Sequence, residues 1–199
     1  MSDSLMLDEE GQTPLTPEEI LELKPSLTTR AQLNEIESLN INEARNWATR
    51  PATLKRADLV TDHFARELHS RMFTHLWRWA GRYRITDRTL GWEPYRITEG
   101  VRVLLDDARY WLENATYPVH EAVVRMHYQM VAVHPWSNGN GRHARLLADV
   151  IVASRDAAAL TWGARQDLTN PGTARASYLG ALRAADQGDF APLIHFSRD

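Results

Sequence analysis

The residues with the clearest chemical potential lie close together, in the segment His134-Pro135-Trp136-Ser137-Asn138-Gly139-Asn140-Gly141-Arg142-His143-Ala144-Arg145. It sits between two helical patterns, so it is a helix, loop, helix junction. Gly139 and Gly141 let the backbone turn tightly and approach a ligand. The free N–H groups and positive dipole end of the following helix point into the same space, which makes an anion nest. Arg142 and Arg145 are three residues apart on that helix, and the spacing predicts that both guanidinium groups project toward the held anion. Two arginines and a nest suit a polyphosphate better than a lone carboxylate. His134 closes the preceding helix, and an imidazole with an ordinary pKa near ~6.5 is well suited to take a proton from a hydroxyl at neutral pH. A base facing a phosphate cradle is the arrangement for transferring a phosphorus-containing group onto a hydroxyl.

The elements that must position these groups read as helices. Thr16-Pro17-Glu18-Glu19 carries a capping Thr, a Pro at the first helical position and a Glu at the third, opening a short helix that Pro25 ends. A second capping box, Thr29 to Gln32, opens a helix to about Arg50. A third is expected from Asp62 to Ala80, with Phe64, Leu68, Met72, Leu76 and Trp79 on one stripe and Gly81 as its stop. Periodicity fails from Tyr83 to Ile97, where Thr, Trp and Tyr flank Gly91 and Pro94, and we read a short β-hairpin there. Further helices are expected at 98–114, at 119–133 (apolar on more than one face, hence central), at 142–157 and from Thr173 to Ala185 after the turn Asn170-Pro171-Gly172. Residues 1–12 read as a mobile tail. With no β-α alternation, the fold class is all-α.

The 134–145 segment resembles the signature of the Fic (filamentation induced by cAMP) family, His-Pro-Phe-x-Asp/Glu-Gly-Asn-Gly-Arg-x-x-Arg. Its identities at His134, Pro135, Gly139, Asn140, Gly141, Arg142 and Arg145 arise by chance on the order of 10⁻⁷ per chain at average residue usage. LHSRMFTHLWRWAGRYR (68–84) is similar to the family segment ending Trp-Ala-Gly-x-x-Arg, and SYLGALRAADQGDFAPLIHF (177–196) to its C-terminal helix. TPLTPEE and TTRAQLNEIE resemble the subgroup called mobile mystery protein B. The resemblance implies a Fic-fold helical bundle over 55–199, a short hairpin flap, and an N-terminal tail and helical extension over 1–54. It implies transfer of AMP from ATP, with Mg²⁺, to a Ser, Thr or Tyr hydroxyl of a protein. His134 is then the general base; Gly139, Asn140 and Gly141 cradle the anion, and Arg142 and Arg145 hold the phosphates. Thr89, Leu90, Gly91 and Trp92 lie in the flap, which holds the target by strand-like main-chain pairing.

Two departures from the family pattern bear on this. Trp136 stands where most members have Phe, and either ring plugs the loop into the core. Asn138 stands where AMP-transferring members have the acid that binds Mg²⁺; it is the candidate metal position, offering one carbonyl oxygen and no charge. Alternatives therefore stay open: transfer with the ATP phosphates supplying most Mg²⁺ ligands, a different donor or γ-phosphate transfer, or a catalytically weak module that senses a nucleotide. Some Fic proteins carry a Ser/Thr-x-x-x-Glu-Gly/Asn helix whose Glu pairs with the second signature Arg. Residues 33–38 keep its Ile-Glu centre, which makes Glu37 an inhibitory candidate through Arg145, against the plain reading of a solvated or structurally paired helix acid.

Composition sets the outer bounds. The chain has 199 residues, 43% hydrophobic and 25% charged, enough for one domain with a core. A net charge of −3 gives no global field for nucleic acid, and the basic residues are dispersed, so direct nucleic-acid binding is not expected. The absence of Cys excludes disulfides, thiolate catalysis and Cys-based zinc sites. His120, His127 and His134 recur every seven residues but lack the i, i+4 pair that chelates zinc. Trp47, Trp79 and Trp111 read as core, whereas Trp92 is a target or adenine contact or a packed side chain. With neither a signal peptide pattern nor a membrane-length apolar run, a cytoplasmic location is expected. The expected partner is a protein bearing a hydroxyl side chain; a separate antitoxin or regulator and a homodimer stay open.

Overall fold

The computed structural model describes residues 16–27, 29–163, 168 and 172–199. The expected tail at 1–12 and the Asn170-Pro171 pair lie outside the described residues. Among those described, the order is α1 (Pro17–Leu21), α2 (Arg30–Ala48), α3 (Pro51–Leu54), α4 (Asp62–Phe73), α5 (Pro94–Glu113), α6 (Val119–Val133), α7 (Asn140–Ala153), α8 (Thr173–Asp186) and α9 (Ala191–Phe196). The all-α expectation holds, and no strand occurs among the described residues. No described helix is long and apolar enough to cross a membrane.

Both capping boxes form. Thr16 and Glu19 exchange side-chain and main-chain hydrogen bonds at the start of α1, as do Thr29 and Gln32 at α2, satisfying N–H groups that a helix start leaves unpaired. α6 is the central element, packed between α5 and α7, with Ala122, Val123, Val124, Met126 and Met130 fully buried. Leu146, Leu147, Val150 and Ile151 of α7 are also fully buried, as the helical spacing requires. α2 lies along α4, which carries the N-terminal extension onto the same core.

Three expectations need correction. The helix expected from Asp62 to Ala80 ends at Phe73. The main-chain groups beyond it are taken by the N-terminal segment: Lys24 N–H donates to Leu76 O (2.8 Å), Arg78 N–H to Glu22 O (3.0 Å), and Lys24 Nζ to Thr74 O (2.5 Å). Leu76 and Trp79 stay buried even so. The same pairing ends α1 at Leu21, ahead of Pro25.

The hairpin at 83–97 is absent as well. Main-chain donors at its two ends reach the C-terminal end of α6 and the residues after it instead of each other: Arg84 N–H donates to Pro135 O (2.9 Å) and Trp92 N–H to Val133 O (3.1 Å). α5 starts at Pro94, earlier than expected, because Pro suits a first helical position. Third, α7 begins at Asn140 and ends at Ala153.

Candidate functional site

His134 is the C-terminal cap of α6, in the left-handed region (φ 54°, ψ 59°), its N–H donating to Met130 O at 3.2 Å. A non-glycine residue held there must be fixed by its surroundings, and Arg84 does much of this. Its buried guanidinium donates from Nε to His134 O (2.7 Å), from Nη1 to Thr86 O (2.7 Å) and from Nη2 to Trp92 O (2.5 Å). One side chain thus ties the candidate base to both ends of the 86–92 loop. Gly91 (φ 96°) lies against the base, since a Cβ there would stand 2.5 Å from His134 Cβ. Burial, with the nearby charges of Arg84 and Arg88, lowers the His134 pKa to about 4, so the imidazole is neutral at pH 7.

The loop after His134 is braced from inside. Asn140 closes it in both directions, accepting from Trp136 N–H (2.9 Å) and donating to Trp136 O (2.8 Å). The Trp136 ring is fully buried, stacks on His69 at 4.1 Å between centroids, and donates from Nε1 to His143 Nδ1 at 3.2 Å. It is the plug expected of an aromatic at this position. His69 and His143 act as struts: His69 Nδ1 accepts from Gly81 N–H (3.0 Å) with Nε2 3.2 Å from Asn138 O, and His143 Nε2 lies 2.8 Å from Ala65 O. Gly139 (φ 80°) leaves no room for a side chain, because a Cβ would fall 2.3 Å from the Phe73 ring.

Gly139 is the N-terminal cap of α7. Asn140, Gly141 and Arg142 form the first turn of α7, whose N–H groups have no acceptor within the helix. The Arg145 guanidinium carbon lies 5.2 Å from the centre of the Tyr178 ring. Beyond the two arginines opens a cavity of about 580 Å³, lined also by Arg45, Asp149, Leu160 and Trp162. It is large enough for a small-molecule ligand.

Glu37 is where expectation and structure part. It enters the site, but its carboxylate pairs with Arg142 (2.5 Å) and not with Arg145. It also accepts from Asn138 Nδ2 (2.8 Å) and Trp77 Nε1 (3.5 Å). It is therefore a buried, fully engaged acid, 1% exposed, not a solvated one. Arg142 and Arg145 do not both point freely at one anion, as the spacing alone suggests.

Asn138 does not fit a protein-held Mg²⁺ in this arrangement. Its carbonyl oxygen accepts from Gly139 N–H (2.7 Å), and its amide donates to Glu37. No group of three or more His, Cys, Asp or Glu residues able to hold a metal occurs among the described residues.

Of the flap residues, Leu90 is exposed (58%), with Ile85 (90%) and Tyr95 (83%) nearby. Trp92 is 38% exposed; its ring packs over Gly100 and under the Arg96 guanidinium, 4.8 Å from the ring centre. Thr89 lies in the same loop.

Sequence reasoning missed several supporting groups. Glu19 of α1 is buried against Arg88 and Thr86 of the flap loop, and it also bonds Ser137. Arg84 was visible only as the last letter of Trp-Ala-Gly-x-x-Arg. His127 is a core residue, fully buried, with Nε2 3.1 Å from the Tyr178 hydroxyl.

The chain is also similar to known proteins. Residues 59–152 match the Fic/DOC family. The chain is 27% identical over 184 residues to a protein adenylyltransferase Fic from Nematostella vectensis, covering 89% of this chain and 40% of that one. It is 31% identical over 121 residues to protein adenylyltransferase fic-1 of Caenorhabditis elegans, covering 59% and 22%. The chain thus spans well under half the length of these relatives. Among solved structures, a fragment of Fic-1 from C. elegans carrying one substitution superimposes with TM-score 0.64 at 25% identity, covering 88% of this chain and 50% of that one. BepC from Bartonella tribocorum, solved with bound AMPPNP, superimposes with TM-score 0.65 at 16% identity over 98% and 95%, a likeness of fold. Residues 59–152 thus form a domain of the Fic/DOC family.

Proposed function

We propose that this chain is a protein adenylyltransferase, moving AMP from ATP to a Ser, Thr or Tyr hydroxyl of a protein target. The observation that carries the reading is the pairing of a neutral, buried His134, fixed by Arg84, with the open first turn of α7 and its two arginines. In the reaction His134 takes the hydroxyl proton as that oxygen bonds to the α-phosphorus. The bond from the α-phosphorus to the bridging oxygen breaks, and pyrophosphate leaves. The first-turn N–H groups and Arg145 hold the phosphates where negative charge builds up. Arg142 joins them when Glu37 gives it up. Negative charge from the nucleotide raises the proton affinity of His134, offsetting part of the depression caused by its burial. The exposed Ile85, Leu90 and Tyr95 beside the flap supply apolar surface for a target segment. The relatives named as adenylyltransferases support the same chemistry.

A second reading, a nucleotide-sensing module without turnover, is favoured by one observation: Asn138 is turned to Glu37 and offers no metal ligand. Label transfer separates the two. Purified protein is incubated with ATP labelled at the α- or γ-phosphate, alone and with cell lysate, beside His134→Ala. Protein-bound label from α-ATP that disappears in His134→Ala is the expected result. Label from γ-ATP alone means phosphotransfer, and binding without label means the sensor.

A further inference from the structure

The capping boxes of α1 and α2 are closed by different residues. At α2 the third position is Gln32, which is exposed. At α1 it is Glu19, which is 6% exposed, although the cap asks only for an acceptor that either residue supplies. Burying a carboxylate is costly unless charge and hydrogen bonds are returned to it, so capping does not account for a buried acid at 19. What returns them lies in two other segments. Arg88 Nη2 donates to Oε2 and Thr86 Oγ1 to Oε1 (3.3 Å), both from the 86–92 loop, and the Ser137 hydroxyl donates from the loop after His134.

These contacts close a ring around the candidate base. His134 O accepts from Arg84 Nε, and Thr86 O from Arg84 Nη1. Thr86 Oγ1 donates to Glu19, and Glu19 accepts from Ser137, three residues after His134. Glu19 is the one link that lies outside residues 59–152. Its segment is fastened in turn by main-chain pairs, Arg78 N–H to Glu22 O (3.0 Å) and Lys24 N–H to Leu76 O (2.8 Å). The charges that face His134 are those of Arg84 and Arg88; Glu19 acts on both of these arginines, and Asp87 acts on Arg84. We propose that Glu19 is a positioning residue for His134, a clasp that binds the flap loop to the loop after His134 and so fixes how the base meets a target hydroxyl. The clasp stands on the contacts; its effect on transfer rests on the adenylyltransferase reading.

Ser137→Ala is the principal test, because it opens the clasp while the Glu19 pair with Arg88 keeps the segment docked. The readouts are label transfer at varied ATP concentration and the ring-nitrogen NMR signals of His134. In Ser137→Ala, turnover at saturating ATP should fall roughly fivefold or more. KM for ATP should change less than about threefold, since the nucleotide cradle is on α7. The His134 signals should shift, while those of His120 in α6 and His195 in α9 stay in place. Glu19→Gln should act in the same way, and the double variant should lie within about twofold of Glu19→Gln, the non-additivity of groups that work as one unit. Turnover of Ser137→Ala within about twofold of the unsubstituted protein, or a double variant whose loss is the product of the single losses, overturns the clasp. Unsubstituted protein that transfers no label, with His134 signals that move in both single variants, sinks the adenylyltransferase reading and leaves the clasp standing. His134 signals unmoved in both variants overturn the clasp whatever the transfer shows.

Discussion

Arg84 donates to the main-chain oxygen of His134 at 2.7 Å, and the same guanidinium reaches Thr86 O and Trp92 O. A planar fork of fixed geometry can serve three carbonyls at once, which an ammonium on a flexible stem cannot. Removing it leaves buried acceptors without donors. We expect Arg84→Ala to cost about 2–4 kcal/mol by urea unfolding and to lower label transfer by more than about tenfold, with Arg84→Lys between. A loss of transfer equal in Ala and Lys variants would mean that charge, not the fork, matters.

Gly91 gives an independent check on the contact between flap and base. Its φ of 96° and the 2.5 Å approach to His134 Cβ leave no place for a methyl group. Gly91→Ala should cost about 1–2 kcal/mol in backbone strain and should displace the loop from His134. Transfer should fall while nucleotide affinity changes less than about threefold, because the cradle lies on α7. An equal loss of affinity would place the flap in the nucleotide site.

The buried histidines set the acid limit. Burial, first among the causes, lowers His127 to about 3 and His134 and His143 to about 4, and holds His69 well below 6.5. The unfolded chain takes up protons near ~6.5 that the folded chain refuses. Stability is therefore fully present above that value and is lost as pH falls below it, by about 1.4 kcal/mol per pH unit for each such group until its folded pKa is reached. The urea midpoint should drop steadily from pH 7 to pH 5. His143→Gln, which can still accept from Trp136 and donate to Ala65, should flatten the slope by about one proton. A flat midpoint over that range would contradict the neutral assignment of these rings.

Glu19 should be the most sensitive position in the N-terminal segment. Burial pushes its carboxyl up, but hydrogen bonds from Arg88, Thr16 and Ser137 outweigh this and hold it below the usual range. Glu19→Ala leaves Arg88 without that counter-ion, and breaking a buried pair costs about 3–5 kcal/mol when both groups stay buried. Part of that should be relieved here by release of the segment to solvent. Limited proteolysis is then expected to cut near residues 16–24 before the core is touched. Cleavage no faster than in the unsubstituted protein would show that other contacts hold the segment.

What the sequence made legible was local. Both capping boxes and the bounds of α6 follow from short-range pattern, and the signature loop was readable because its glycines and arginines must be contiguous. Long-range competition was not legible. Periodicity ran α4 through to Ala80 because nothing near Thr74 shows that Lys24 will claim its carbonyl. The 83–97 segment has the composition of a hairpin, yet its end donors pair with Val133 and Pro135. Glu37 was found from an Ile-Glu fragment, but its choice of Arg142 depends on how α2 packs along α4, which spacing does not encode. His69 and His143 carry no motif, and only their burial beside Trp136 reveals them.

The docking of the N-terminal segment also bears on the order in which the chain assembles. Its contacts bridge 50 positions from Lys24 to Thr74 and 69 from Glu19 to Arg88, and Glu19 also needs Ser137. Such closures gain little until the surface that receives them exists. During synthesis, residues 16–24 leave the ribosome well before any of these partners. They can settle only after residue 137 has emerged and the helices around α6 have condensed. The part of the site made earliest is thus completed late, and a nascent chain carries an uncovered flap until residue 137 has emerged.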